Sequence, residues 1–187
     1  TLIIIAGTES HDAGQLKLFY GYKDDERLDI RIVERAQFEY AQGLKILCVP
    51  EEYGRGEAYY RALLDDVYDT AFMHGTIVGS VYGATKEDLN SSRYPIFSID
   101  SFAGCRGPII CGHVHKAMCL NGYIYYCSNP IRYRFGEEEE KGLKEKYEEI
   151  KPILKELIKS KEELKNFLKD ILKAINLKKL EGKLIIG

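Results

Sequence analysis

The 187-residue chain contains no run of apolar residues long enough to cross a bilayer, and no signal peptide is visible in it. No membrane partner is therefore expected. Its five cysteines, Cys48, Cys105, Cys111, Cys119 and Cys127, are odd in number and include no Cys-x-x-Cys pair. That excludes a fully paired disulfide framework and offers no zinc knuckle, and a reducing, cytoplasmic setting suits such a set. Cys48, Cys111 and Cys127 lie in or beside apolar runs, where cysteine behaves as a small buried hydrophobe, so none is assigned chemistry. The chain also lacks a strong excess of either charge, with a net −2, and holds only four histidines.

What is present describes an ordinary globular protein, 45% hydrophobic and 30% charged, long enough for one substantial core or a domain with an appendage. The charge is unevenly spread. Residues 1–140 carry 14 Lys and Arg against 21 Asp and Glu, a net −7, whereas residues 141–187 carry 13 against 8, a net +5. The basic tail is either a solvated helix face or a contact for an anionic partner.

Short apolar runs alternate with helical patterns. LIIIAG (2–7), GLKILCVP (43–50), TAFMHG (70–75) and PIICGH (108–113) read as buried strands that deliver loops. GEAYYRALLDDVYD (56–69) has apolar residues at helical spacing, and DAGQLKLFYGY (12–22) begins a shorter helix with Asp12 as its cap. The expected class is a layered α/β domain. Asn121-Gly122 between apolar alternations signals a two-residue hairpin, which adds antiparallel strands.

From Lys141 the sequence is helical and charged. Leu143, Tyr147, Ile150, Leu154 and Leu157 form one stripe; Pro152 is expected to kink it. Ser160 with Glu163 reads as a capping box opening a second helix, whose stripe is Leu164, Phe167, Leu168, Ile171, Leu172 and Ile175, so two packed helices are expected. The closing KLIIG resembles a strand that has just begun, and the opening Thr1 enters a strand directly; both ends read as truncated.

The histidines follow the strands. LIIIAG leads to His11-Asp12, TAFM to His74-Gly75, and PIIC to Gly112-His113-Val114-His115. In layered α/β domains the loops after strands gather at one sheet edge, where ligand sites form, so all four histidines are expected there. If the backbone between His113 and His115 is extended, both rings project to one side and can hold one cation or two neighbouring ones. A lone histidine such as His74 is ordinarily structural, and the metal reading rests on the repeated placement.

GTESHD, HG at 74–75 and GHVH at 112–115 resemble, in order, the last three signature elements of the calcineurin-like metallophosphoesterases, which run D-x-H, G-D, G-N-H-[DE], H-G and G-H-x-H. IAGTESHD, ILCVPEEYG and SNPIRYRFGEEEEKG are most similar to phage-type nuclease subunits related to the SbcD component of the SbcCD DNA repair complex, over residues 1–142. The resemblance implies a layered metallophosphoesterase-type β-sandwich flanked by helices, with residues 143–187 as a helical appendage or the start of a capping region. It implies two divalent metal ions, with manganese expected. His74 and His113 would bind one ion and His115 the other, while His11, oriented by Asp12, would act on the phosphate or the leaving oxygen. Ser10 stands where the family has a metal-binding asparagine and would be a weaker ligand. The implied partners are DNA and an SbcC-like ATPase subunit, with room for a homodimer; the location would be the host cytoplasm if the gene is a phage's.

Neither D-x-H nor G-D occurs in the 187 residues, so the family's bridging carboxylate is missing and the metal site is expected to be incomplete. Three functions remain open: a metal-dependent DNA nuclease, a degenerate phosphoesterase serving as a binding or assembly module, and a phosphoesterase of small substrates. Arg132 and Arg134 alternate with Tyr133 and Phe135, which suits either nucleic-acid contact or an amphipathic strand. The tyrosine-rich stretches YYRALL and YIYY read first as packing.

Overall fold

The computed structural model describes residues 1–9, 14–23, 25, 27–80, 95–127 and 143–183, with side chains of the last segment described over 150–170. Strands β1 (Leu2–Ile5), β2 (Ile30–Val33), β3 (Gln37–Ala41), β4 (Leu44–Val49), β5 (Thr70–His74), β6 (Thr76–Ile77), β7 (Ile96–Phe97), β8 (Ile109–Gly112), β9 (Met118–Leu120) and β10 (Ile124–Tyr126) are joined by helices α1 (Lys17–Tyr20), α2 (Glu57–Leu64) and α3 (Leu143–Lys183). A 3-10 turn spans Ile99–Phe102.

Six strands form one mixed sheet in the order β3-β4-β5-β8-β10-β9. The inner four run parallel, and β3 and β9 close the two edges antiparallel. The protein is thus α/β. The runs expected as buried strands become β4, β5 and β8, whose continuous apolar character suits strands covered on both faces. LIIIAG departs from that expectation: among the described residues β1 pairs only with β2, in a separate parallel ribbon, and Leu2 is half exposed. Its inner residues Ile3 and Ile5 pack on Val33, Leu44, Ile46 and Cys48.

The larger core lies where Tyr60 and Leu64 of α2 meet Phe97, Phe102, Leu47, Ile109, Ile124 and Tyr126. In YYRALL Tyr60 and Leu64 are buried while Tyr59 faces outward, an amphipathic split that bears out the packing reading. Helix α1 is a single turn whose capping position is Leu16, not Asp12. The hairpin forms at Asn121-Gly122, both with positive φ (50° and 77°), as such a turn demands. Leu120 pairs with Ile124, so the loop holds three residues, Tyr123 being the extra one.

The two expected terminal helices are one. Helix α3 runs 41 residues through Pro152. A mid-helix proline costs about 3 kcal/mol, but the Lys, Glu, Leu and Ile residues on both sides are strong helix formers and carry the helix through it. Ser160 caps nothing: its Oγ donates to the Leu157 carbonyl at 2.9 Å within the same helix. Helix α3 docks through buried Ile150, through Leu157 and Ile158 on the smaller core, and through Lys161 Nζ at 2.5 Å from Asp69 Oδ2. Asp69 and its neighbour Lys45 lie at the N-terminal ends of the parallel strands, so the helix covers the sheet edge away from the loops that follow them. Leu164, Phe167 and Leu168 are more than half exposed rather than packed on a second helix. Residues 184–187 of the expected terminal strand lie outside the described residues. Among the described residues no helix is long and apolar enough to cross a membrane.

Candidate metal centre

Parallel strands share a direction, so the residues at or just past the C-terminal ends of β4, β5 and β8 assemble at one sheet edge. They are Glu51, His74 and His113, and one ligand atom from each lies within 4.8 Å of the others. Glu51 Oε2 is 2.7 Å from His74 Nδ1 and 2.8 Å from His113 Nδ1, and the Glu51 side chain is wholly buried. The two imidazoles meet edge to face, with centroids 5.2 Å apart.

The protonation of this cluster follows from its geometry. Burial pushes the Glu51 carboxyl upward, but two imidazole N–H contacts outweigh it and hold the pKa at about 2. An ionised carboxylate only accepts hydrogen bonds, so both Nδ1 atoms donate to Oε2. Thr8 Oγ1 donates to the same oxygen at 3.0 Å. Oε2 thus accepts three donors, while Oε1 is buried with no hydrogen-bond partner among the described residues.

Backbone holds the His74 ring. A Cβ on Gly112 would stand 2.8 Å from His74 Cδ2, and one on Gly7 would stand 3.3 Å from His74 Nε2, so two glycines leave the slot the ring occupies. The loop beyond His74 is braced by buried Tyr126, whose hydroxyl accepts from Ile77 N at 2.9 Å and donates to the Gly75 carbonyl at 3.2 Å. His113 has φ +79°, a left-handed conformation that costs a non-glycine residue about 1–3 kcal/mol and is stored at functional sites.

That conformation corrects one expectation. Strand β8 ends at Gly112 and the chain is not extended through His113, so the period-two argument for pairing His113 with His115 does not apply. His115 is half-buried and is not one of the three converging residues. His74 and His113 do come together. Ser10, His11, Asp12, Arg132 and Arg134 lie outside the described residues.

Glu51 is the residue that the histidine pattern passed over. GLKILCVP was the one strand-like run that led to no histidine, yet its loop, PEE, supplies the carboxylate. The strand-then-loop logic that singled out His74 and His113 would have found it had carboxylates been included. The cysteines add nothing to the site: burial pushes the Cys48 thiol up to about 12 and that of Cys111 well above its ordinary value, so both stay protonated.

One carboxylate and two imidazoles form a donor set suited to a divalent first-row metal. The orphaned, buried Oε1 is a negative oxygen for which a cation is the natural partner. One donor atom from each of the three residues lies within 4.8 Å of the others, close enough for one ion to draw them together. The residues fit one ion; among the described residues no second group of three such ligands converges. No protein family's sequence profile matches the chain, and no curated protein matches it significantly.

Proposed function

We propose that the chain carries out metal-dependent phosphodiester hydrolysis on DNA, as the nuclease subunit of an SbcCD-like recombination and repair complex on a metallophosphoesterase-type sandwich. The convergence of Glu51, His74 and His113 at the sheet edge carries this reading, because the resemblance implies that both histidines bind a single ion. The ion, with manganese expected, would supply an activated water and charge neutralisation on the phosphate oxygens. Glu51, His74 and His113 would hold it. His11, oriented by Asp12, would stabilise the phosphate or donate a proton to the leaving oxygen. The second ion of the family would call on His115, Ser10 and the D-x-H and G-D motifs that these 187 residues do not contain. DNA contact through Arg132 and Arg134, and docking of an SbcC-like ATPase on the exposed stripe Leu164, Phe167 and Leu168, complete the proposal.

One observation favours a second reading. At 2.7 and 2.8 Å the Glu51 contacts are ordinary charge-assisted hydrogen bonds, so the cluster could be a structural knot in a degenerate phosphoesterase that serves as an assembly module. The two readings separate on the purified chain titrated with Mn²⁺ or Zn²⁺. The nuclease reading expects about one equivalent of metal per chain, lost in His113→Ala and Glu51→Gln. It also expects manganese-dependent DNA hydrolysis, weak in this chain and abolished by His113→Ala. Wild-type chain that binds no metal and cleaves no DNA would establish the knot instead.

A further inference from the structure

Thr8 stands two residues before Ser10 in the loop after β1, and it is the only group besides the two imidazoles in hydrogen-bond contact with Glu51 Oε2 among the described residues. Its hydroxyl is 3.0 Å from that oxygen. The loop is also tied at its base: Glu51 N donates to the Ala6 carbonyl at 3.2 Å, and Gly7 abuts the His74 ring. A buried carboxylate can rotate about its last torsion, and that torsion is broad for Glu. A half turn only exchanges two equivalent oxygens, but any smaller rotation carries the accepting oxygen off its donors and swings the other oxygen out of its present direction. Three donors on one oxygen oppose such a rotation, and Thr8 is the one that approaches from outside the imidazole pair.

We infer that Thr8 is a positioning residue for the metal centre: its hydroxyl fixes the rotation of the Glu51 carboxylate so that Oε1 stays available to a divalent cation. This rests on the reading of Glu51, His74 and His113 as ligands. The residue that orients Glu51 lies three positions before His11 in the sequence. Neither the histidine pattern nor the family signature assigns Thr8 a role.

Hydrogen bonds to ligand-orienting groups set metal affinity by about 10- to 100-fold. The chain is titrated calorimetrically with Mn²⁺ and with Zn²⁺ in four forms: wild type, Thr8→Val, Thr8→Ser and Glu51→Gln. Valine keeps the shape and removes the hydroxyl; serine keeps the hydroxyl and removes the methyl. Thr8→Val should weaken binding about 10-fold or more, Thr8→Ser should restore affinity to within about threefold, and Glu51→Gln should lose binding. Thermal unfolding of each metal-free variant reports any effect on folding. Thr8→Val with wild-type affinity would overturn the inference. So would Thr8→Ser as weak as Thr8→Val, since the methyl and its packing would then be what matters. A wild-type chain that binds neither metal would overturn both the ligand reading and this one. A chain that binds metal with the expected Thr8 ranking yet hydrolyses no DNA would uphold the positioning role and reject only the proposed reaction.

Discussion

Replacing Gly112 by alanine should damage the metal centre more than the fold. The backbone there is not in the left-handed region, so alanine introduces no torsional strain, and the effect comes from one contact. The added methyl would stand 2.8 Å from His74 Cδ2, where carbon atoms rest at about 3.5–4.0 Å, so the ring must retreat by about 0.7–1.2 Å. It has little room to do so. Gly7 bounds its Nε2 edge, and Nδ1 is anchored 2.7 Å from Glu51. A retreat of that size stretches the 2.7 Å contact past hydrogen-bonding range, forfeiting about 1.5–3 kcal/mol for a bond to a charged group. Because the clash falls on one partly exposed side chain and not on backbone, stability should fall by no more than about 1–3 kcal/mol. Metal affinity, which needs all three donors in place, should fall at least about 10-fold. Urea unfolding and Mn²⁺ calorimetry on wild type, Gly112→Ala and the control Gly21→Ala, whose added methyl meets nothing within 4 Å, measure both quantities. Wild-type stability and affinity in Gly112→Ala would show that the His74 ring does not lie against Gly112 and would refute the slot described here.

Glu51 should also leave a mark on acid stability. Its folded pKa of about 2 lies below the ordinary value of 4.5, so its contribution is present above pH 4.5 and is lost as pH falls toward 2. That contribution amounts to about 3 kcal/mol, and the stability difference between wild type and Glu51→Gln in urea titrations should shrink toward zero across that window. At the opposite edge of the sheet, buried Asp69 accepts from Lys45 N at 2.7 Å and from Lys161 at 2.5 Å. Asp69→Ala orphans a backbone N–H as well as the lysine and should cost about 2–4 kcal/mol, whereas Lys161→Ala, whose side chain is 37% exposed, should cost about 1 kcal/mol or less. Equal losses in urea unfolding would mean that the ion pair, not the hydrogen bond to the strand, holds that edge.

Much of the architecture was legible in the chain because its signals are local. Continuous apolar runs marked β4, β5 and β8, Asn121-Gly122 marked a hairpin, and the placement of His74 and His113 after two such runs marked a shared edge. Parallel strands force that convergence, so direction and order sufficed. The sequence could not say that β1 would leave the main sheet for a ribbon with β2, since an apolar run does not name its neighbour. It suggested two terminal helices from Pro152 and Ser160, and the tertiary answer was one, because breaker and cap signals are weak beside sustained helix propensity. The third member of the site was decided only in three dimensions. Glu51 is one of 29 acidic residues, indistinguishable from its neighbour Glu52 until folding buries one carboxylate between two imidazoles and leaves the other outside them. His115 marks a limit of spacing: the same-side argument assumed an extended backbone, and only the fold put His113 in the left-handed region.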